Sequence, residues 1–260
     1  MAAIRTDPLS RARSGARLAV VGRGRLGMAL CAALRAAGVH VQGPLGRDEP
    51  PHRADAVLLC VPDAEIPAAA AAVAGLAPLV GHTSGATPLA DLAPAGGTSF
   101  GLHPLQTFSG AEGLDAFSGV GCAVGGETAA ALAFASDLAR DLGMRPFEIA
   151  DSHRPAYHAA ASIASNFLVT LEAAAEQVAA GAGLEPAEAR ALLAPLVRTT
   201  VENWSELGPE RALTGPVARG DDATVARQRA AVAEIAPASL ALFDELAART
   251  RALAAQEALR

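Results

Sequence analysis

Leu18-Ala-Val-Val-Gly-Arg-Gly-Arg-Leu-Gly-Met28 decides how this chain is read. The apolar run Leu18–Val21 has the character of a buried strand. It leads into Gly22, Gly24 and Gly27, and then into the small-residue face Ala29, Ala32 and Ala33. In a G-x-G-x-x-G turn between strand and helix, each glycine has its own task. The first permits the tight turn, the second lets the backbone approach a pyrophosphate, and the third lets the helix pack close to its strand. The helix N-terminus then offers unpaired N–H groups and the positive end of its dipole to phosphate oxygens. Gly22, Arg23, Gly24, Arg25, Leu26 and Gly27 are therefore the candidate dinucleotide cradle.

Outward from this turn, short apolar runs alternate with Ala/Leu-rich helical stretches from Arg17 to about Ile149. The runs are Leu18–Val21, Val39–Val41, Ala56–Val61, Leu79–Gly81, Thr98–Leu102 and Val120–Val124, and Phe147-Glu-Ile closes the last strand. Helices are predicted near 26–37, 64–75, 87–92 and 127–142. Strands alternating with helices imply a mostly parallel sheet covered on both faces, a doubly wound α/β domain of Rossmann type over residues 17–150. After Asp151 the strand signal stops. Helical periodicity near 153–181, 185–203, 221–234 and 237–257 predicts an all-α C-terminal domain over residues 151–260. Residues 1–16, polar and Arg-rich, read as a mobile tail.

Composition narrows the function classes. A net charge of −6 over 260 residues argues against a nucleic-acid footprint. Cys31, Cys60 and Cys122 are widely spaced in apolar surroundings, which predicts reduced, buried thiols in a cytoplasmic protein and no disulfide or metal framework. Ser10–Arg17 has the charge of a signal-peptide start, but Arg23 and Arg25 interrupt any apolar core behind it. The Ala-rich run from Ile66 to Val80 carries Pro67, Gly75 and Pro78, so it reads as helix and turn and not as a membrane span. The chain contains no lysine, so no step can use a lysine acid or a Schiff base.

An NAD site holds the ribose 2′-hydroxyl with a carboxylate at the end of the second strand, about 20 residues beyond the glycines. Here that strand, Val39-His-Val-Gln-Gly43, ends on Gln42 and Gly43, and Arg47 follows where a 2′-phosphate would lie. This predicts NADP as the cofactor.

Ligands of such sheets bind beyond the carboxyl ends of the strands. Cys60-Val-Pro-Asp-Ala-Glu65 places Val61 and Pro62 along the cofactor. His82-Thr-Ser-Gly-Ala86 offers Ser84 to the cofactor and His82 and Thr83 to a substrate. Leu102-His-Pro-Leu-Gln-Thr107 puts His103 and Gln106 near a strand tip. In the second domain His158, Ser162 and Asn166 recur at i, i+4 and i+8, a polar stripe with Ser165 beside it on an otherwise apolar helix. Leu213–Asp222 reads as a loop opening a helix capped by Asp221, with Arg219 able to clamp a substrate carboxylate. Trp204 and Met144 read as core.

Gly22-Arg-Gly-Arg-Leu-Gly27, Cys60-Val-Pro-Asp63, His82-Thr-Ser-Gly85 and Leu102-His-Pro-Leu-Gln-Thr-Phe108 resemble a bacterial family of Rossmann-like proteins. Tyr157-His-Ala-Ala-Ala161, Ser165-Asn-Phe-Leu168 and Leu213-Thr-Gly-Pro-Val-Ala-Arg-Gly-Asp221 share that resemblance, which covers nearly the whole chain past residue 17. The family carries a C-terminal domain of unknown function. It is similar in turn to pyrroline-5-carboxylate reductase, ketopantoate reductase and the 6-phosphogluconate and 3-hydroxyacid dehydrogenases. The resemblance implies NADP-linked hydride transfer to a C=O or C=N bond, a cleft between two domains, and a homodimer formed through the helices. Several of those relatives use a helix lysine four residues before an asparagine. Asn166 fits the asparagine, but Ser162 stands at the lysine position, so the proton must come from another group.

The reading is thus an oxidoreductase acting on a small keto or imino acid. His158 or His103 exchanges the proton, and Ser162 and Asn166 orient the substrate. The alternative is a protein that binds NADP without catalysis, as a sensor or partner-binding module on the same fold.

Overall fold

In the computed structural model, residues 16–110 and 113–257 are described. The expected N-terminal tail, apart from Ala16, lies outside them.

The apolar runs form seven strands: β1 (Arg17–Val21), β2 (His40–Leu45), β3 (Ala56–Leu59), β4 (Leu79–His82), β5 (Thr98–Pro104), β6 (Gly121–Gly126) and β7 (Arg145–Glu148). They make one sheet in the order β2-β1-β3-β4-β5-β6-β7. All neighbouring pairs are parallel except β5 with β6. Residues alternate across it as a strand period of two requires. Leu18, Val20, Ala56, Leu58 and Leu79 enter one buried cluster, with α1 (Arg25–Ala36) and α3 (Ala129–Asp141) covering that face. Ala19, Val57, Leu59 and Val80 enter the other, covered by α2 (Ile66–Ala72) and the turn Leu89–Ala95. Both faces are dry, which is why the strands read as continuous apolar runs instead of alternating ones.

The helix predicted at 87–92 is a 3-10 segment over Leu89–Ala95 with Pro94 inside it. Proline cannot donate the bond that an α-helix needs there. The strand order turns back at β1, because β2 lies on one side of it and β3 on the other. The crevice beyond the carboxyl ends of β1 and β3 is therefore the topological switch point.

The chain divides into two compact units, one ending at Ser165 and the other beginning at Asn166. The sequence reading placed this boundary at 150/151, one helix earlier. Helix α4 (Arg154–Ala164) belongs with the sheet because Arg154 is buried there. The second unit is all helical: α5 (Asn166–Gly181), α6 (Pro186–Leu207), α7 (Pro209–Ala212), α8 (Asp222–Ile235) and α9 (Leu240–Glu257). Asp221 caps α8 as expected, its carboxylate accepting from the Thr224 N–H at 3.0 Å. Arg190 of α6 grips both oxygens of Glu176 on α5, and Arg229 of α8 does the same to Asp244 on α9. Met144 is buried as expected. Trp204 is not core: it is 55% exposed on α6, in line with exposed Leu192, Leu196 and Leu207.

Candidate active site

The glycine turn performs its three tasks in a way the geometry separates. Gly22 has φ +122°, and a Cβ there would stand 2.1 Å from the Cys60 carbonyl oxygen. A Cβ on Gly27 would stand 2.0 Å from the Gly22 carbonyl oxygen. Both contacts are impossible, so these two glycines are demanded by the crossing of β1, α1 and the end of β3. Gly24 is different. Its φ of −68° and ψ of 173° suit any residue, and a Cβ on it would meet nothing within 4 Å. Nothing among the described residues asks for glycine at 24. A group approaching the backbone from outside would.

Gly24 is also the N-cap of α1, which has no side-chain cap and no acidic residue in its first turn. The first helical bond runs from the Met28 N–H to the Gly24 carbonyl at 3.0 Å, so the N–H groups of Arg25, Leu26 and Gly27 face outward for an anion. Leu26 turns its side chain onto the sheet cluster, and Arg25 reaches the Phe108 carbonyl at 3.2 Å.

At the neighbouring strand end, β2 runs on to Leu45, two residues beyond the expected end at Gly43. No carboxylate stands on β2 itself, as expected, but one reaches its end from the following turn. Glu49 accepts from the Gly46 N–H at 3.1 Å and from Arg23 at 2.5 Å, and these bonds hold its carboxyl below the usual range. Arg47, exposed, pairs with Glu65 at 2.7 Å across the mouth of the crevice. The guanidinium of Arg23 lies over Gly46, so two arginines flank one residue just beyond β2. Val61 and Pro62 follow β3, with Val61 packed on the core and Pro62 exposed.

A second cluster sits at the ends of β4 and β5. His103 Nδ1 lies 2.7 Å from the Tyr157 hydroxyl. The His103 ring meets the Tyr157 and His158 rings edge to face, at centroid distances of 5.5 and 5.8 Å. Both imidazoles press on Gly85, where a Cβ would come within 2.7 Å of His158 and 2.9 Å of His103 Nε2. Burial, then His158 and Arg154, push the His103 pKa down to about 4 against weaker support from Asp63, so the ring is neutral at pH 7. Burial pushes Tyr157 up to about 12.

Beneath this cluster lies Arg154, 1% exposed. Its Nε donates to Asp151 at 2.6 Å and its Nη1 to the Ser84 carbonyl at 3.3 Å. The second Asp151 oxygen accepts the Leu89 N–H at 2.9 Å. Gly101 of β5 and Gly125 of β6 pair across the ladder, and a Cβ on either would come within 2.8 Å of Nη2. The paired glycines are the floor on which the guanidinium rests. It ties α4 to the loop that carries Ser84 and Gly85.

A model of a domain of unknown function (DUF2520) matches residues 120–250, just over half of the 260-residue chain. The chain belongs to this family. No curated protein matches it. Among solved structures, a Bacteroides fragilis protein provisionally called an NADP oxidoreductase is 21% identical, with a TM-score of 0.76 over 91% of this chain and 98% of that one. A Thermotoga maritima protein is 25% identical, with a TM-score of 0.73 over 92% and 99%. The NADP-bound pyrroline carboxylate reductase of Plasmodium falciparum is 10% identical, with a TM-score of 0.57 over 92% and 98%. These likenesses agree with a Rossmann-type sheet followed by helices.

In this DUF2520 protein some expected site residues are brought together and others are not. His103 and His158 meet, with Gly85 between them. His82 and Thr83, expected to touch substrate, are buried: His82 Nδ1 accepts from the Ser84 N–H at 3.2 Å, and Thr83 Oγ1 donates to the Leu59 carbonyl at 3.3 Å. Ser84, expected at the cofactor, is likewise turned inward, its hydroxyl accepting from the N–H groups of Ala86 and Thr87. These side chains shape the loop and leave Gly85 at its tip. Gln106 is exposed beyond β5, accepting from the Thr107 N–H. The stripe through His158, Ser162 and Asn166 is broken: α4 ends at Ala164, Ser165 leaves helical geometry with φ −120° and ψ −70°, and Asn166 starts a new helix. His158 and Ser162 alone share a face of α4. Arg219 is exposed in the loop before α8. Arg154 carries no expected role in the sequence, and Tyr157 enters there only as the first residue of a motif. Among the described residues no group of three His, Cys, Asp or Glu side chains could hold a metal ion, and no helix is long and apolar enough to cross a membrane.

Proposed function

We propose that this protein is an NADP-dependent oxidoreductase that reduces the carbonyl or imine of a small keto or imino acid. The observation that carries the reading is Gly24. It is a glycine that no described neighbour requires, at an uncapped helix start on the switch point of the sheet, with the histidine pair three strands along the same rim. The N–H groups of Arg25, Leu26 and Gly27 would hold the pyrophosphate, and Arg47 with Arg23 would meet the 2′-phosphate in exchange for Glu65 and Glu49. The cofactor, when bound, supplies a hydride. The chain's own contribution is the proton, which in the absence of lysine falls to His103 or His158.

Turnover of a panel of keto and imino acids with NADPH and NADH, followed at the nicotinamide absorbance, tests the reading. NADPH is expected to bind at least about tenfold more tightly than NADH, and Arg47→Asp to erase or reverse that preference, a change of about 1.4 kcal/mol or more. Equal affinity for both cofactors in the parent protein would remove the 2′-phosphate assignment. NADPH binding with no turnover of any panel member would favour a non-catalytic NADP-binding protein.

The helical unit supports a homodimer. Leu192, Leu196, Trp204 and Leu207 follow one another along a single stripe of α6 and are all exposed. Light scattering at micromolar concentration is expected to give twice the 26.1 kDa chain mass. Leu196→Glu, placed in the middle of the stripe, is expected to return the monomer and shift the emission of the single tryptophan to the red. A parent protein that is already monomeric would sink this inference.

A further inference from the structure

The cluster on the rim of β4 and β5 contains more than a histidine pair. His103 presents two nitrogens to two different surroundings. Nδ1 is 2.7 Å from the Tyr157 hydroxyl, while Nε2 has no hydrogen-bond partner among the described residues and lies against Gly85, beside the His158 ring. Tyr157 is fixed for this contact from both sides, since its ring also meets Phe147 edge to face at 5.8 Å. A side chain at position 85 would collide with Nε2, so the glycine is what leaves that nitrogen without a covering side chain. A phenol hydrogen-bonded to one imidazole nitrogen sets the tautomer of the other: if the hydroxyl donates to Nδ1, the ring proton must sit on Nε2.

Resting on the oxidoreductase reading, we propose that Tyr157 and His103 form a two-proton relay, in which His103 Nε2 protonates the substrate heteroatom while the Tyr157 phenol replaces that proton through Nδ1. The bookkeeping of bonds closes. Reduction of the substrate carbon by hydride places the former π pair on oxygen or nitrogen. That atom bonds to the Nε2 proton, the N–H electrons stay with the ring, and Nδ1 takes the phenolic proton to leave a phenolate. Water then protonates Nε2 and releases hydroxide to solvent, the net uptake of one solvent proton, and the Nδ1 proton returns to the phenolate oxygen and restores the pair. His103 is the catalytic residue of this scheme and Tyr157 its positioning and proton-supplying partner.

The surroundings suit the scheme. His103 faces His158, Arg154, Asp63 and His82, and the balance of burial and positive charge keeps its ring neutral, down at about 4. A neutral imidazole donates one proton in a defined direction and carries no charge of its own into the site. Tyr157 faces Cys122 and Arg154, and the buried guanidinium opposes the charge of a transient phenolate. A phenol pushed up to about 12 remains more acidic than water at about 15.7, so an alkoxide can draw its proton. A carbonyl uses the relay, because its alkoxide needs a proton once hydride has arrived, whereas an iminium that arrives already protonated does not; the substrate that the relay serves is therefore a keto acid.

The experiment reads the tautomer in the protein itself, without cofactor or substrate. Long-range nitrogen–proton spectra of the uniformly nitrogen-15-labelled full chain at pH 7.5, with the His103 signals assigned by their loss in His103→Gln, are expected to show Nε2–H and a bare Nδ1. Tyr157→Phe keeps both ring contacts and removes only the hydroxyl. It is expected to give a mixture of tautomers, to lower kcat roughly tenfold to a hundredfold for a keto acid, and to leave NADPH affinity unchanged. A His103 that carries its proton on Nδ1 in the parent protein overturns the relay, as does a Tyr157→Phe protein with unchanged kcat. A variant that loses NADPH affinity and kcat together assigns Tyr157 a structural role and also overturns it. Failure of the oxidoreductase reading looks different: no panel member is turned over, while the tautomer is still read.

Discussion

Between pH 6.5 and pH 4.5 the N-terminal unit is expected to lose much of its stability through its buried histidines. His82 is fully buried, and its pKa is pushed down to about 4 by that burial and by the charge of Arg154. In the unfolded chain the same side chain titrates near 6.5. Within that window the unfolded state binds the proton and the folded state does not, so stability rises with pH and falls with acid. The contribution is complete above about pH 6.5. A shift of this size corresponds to about 3 kcal/mol lost by pH 4, within a total of roughly 5–15 kcal/mol for a domain. His103, also pushed down to about 4, adds to the loss with the same sign. The ion-paired carboxyl of Glu49 is held low and weakens the fold only at still lower pH, so the upper part of the window reports on histidines. Urea unfolding at pH 7.5 and 4.5 measures the difference. A midpoint that does not move between the two would show that neither ring is held neutral by the fold, and His82→Gln should remove about half of the slope if both are.

The part of this fold that follows from period and from turn chemistry was legible in the sequence. The inner strands β1, β3 and β4 are apolar runs between turn residues, and the glycine turn marked β1, α1 and the switch point together. What the sequence concealed was set by tertiary burial. Arg154, next to Pro155 in an Ala-rich helix, has the local look of a solvated arginine, and its place under the site depends on Gly101 and Gly125 facing each other across β5 and β6. Gly101, a glycine inside an apolar strand with no turn to serve, was the available signal. Tyr157 was hidden in the same way, because its partner His103 is 54 residues away along the chain. His82, Thr83 and Ser84 misled in the opposite sense. Polar residues at a strand end suggested ligand contacts, but a sharp loop consumes its own hydroxyls, and these three are bonded to Ser84, Leu59, Ala86 and Thr87. The helix break at Ser165 has no proline or glycine to announce it, so the polar stripe was extrapolated one turn too far.

The glycine turn allows fold and ligand to be separated by three alanine substitutions. Gly22→Ala and Gly27→Ala place a methyl group 2.1 and 2.0 Å from backbone carbonyl oxygens, and no side-chain movement can relieve a clash with backbone. Helix α1 would have to move off the sheet, where Leu30, Cys31 and Leu34 are fully buried, so each change is expected to cost several kcal/mol, of the order seen for severe overpacking. At Gly22 the positive φ adds a further penalty. Gly24→Ala meets nothing within 4 Å and keeps an ordinary backbone geometry, and its only structural cost is the exchange of one weak helix N-cap for another, about 1 kcal/mol or less. If a pyrophosphate lies against the Gly24 backbone, the new methyl group occupies the space of its oxygens, and NADPH affinity should fall by roughly a hundredfold, about 3 kcal/mol. The diagnostic result is therefore a Gly24→Ala protein that melts close to the parent and binds NADPH poorly, beside Gly22 and Gly27 variants that fail in both respects. Calorimetric titration with NADPH and thermal melts of the same preparations decide it. Full NADPH affinity in a stable Gly24→Ala protein would mean that the dinucleotide does not pass over this turn, and the assignment of the cradle would have to be withdrawn.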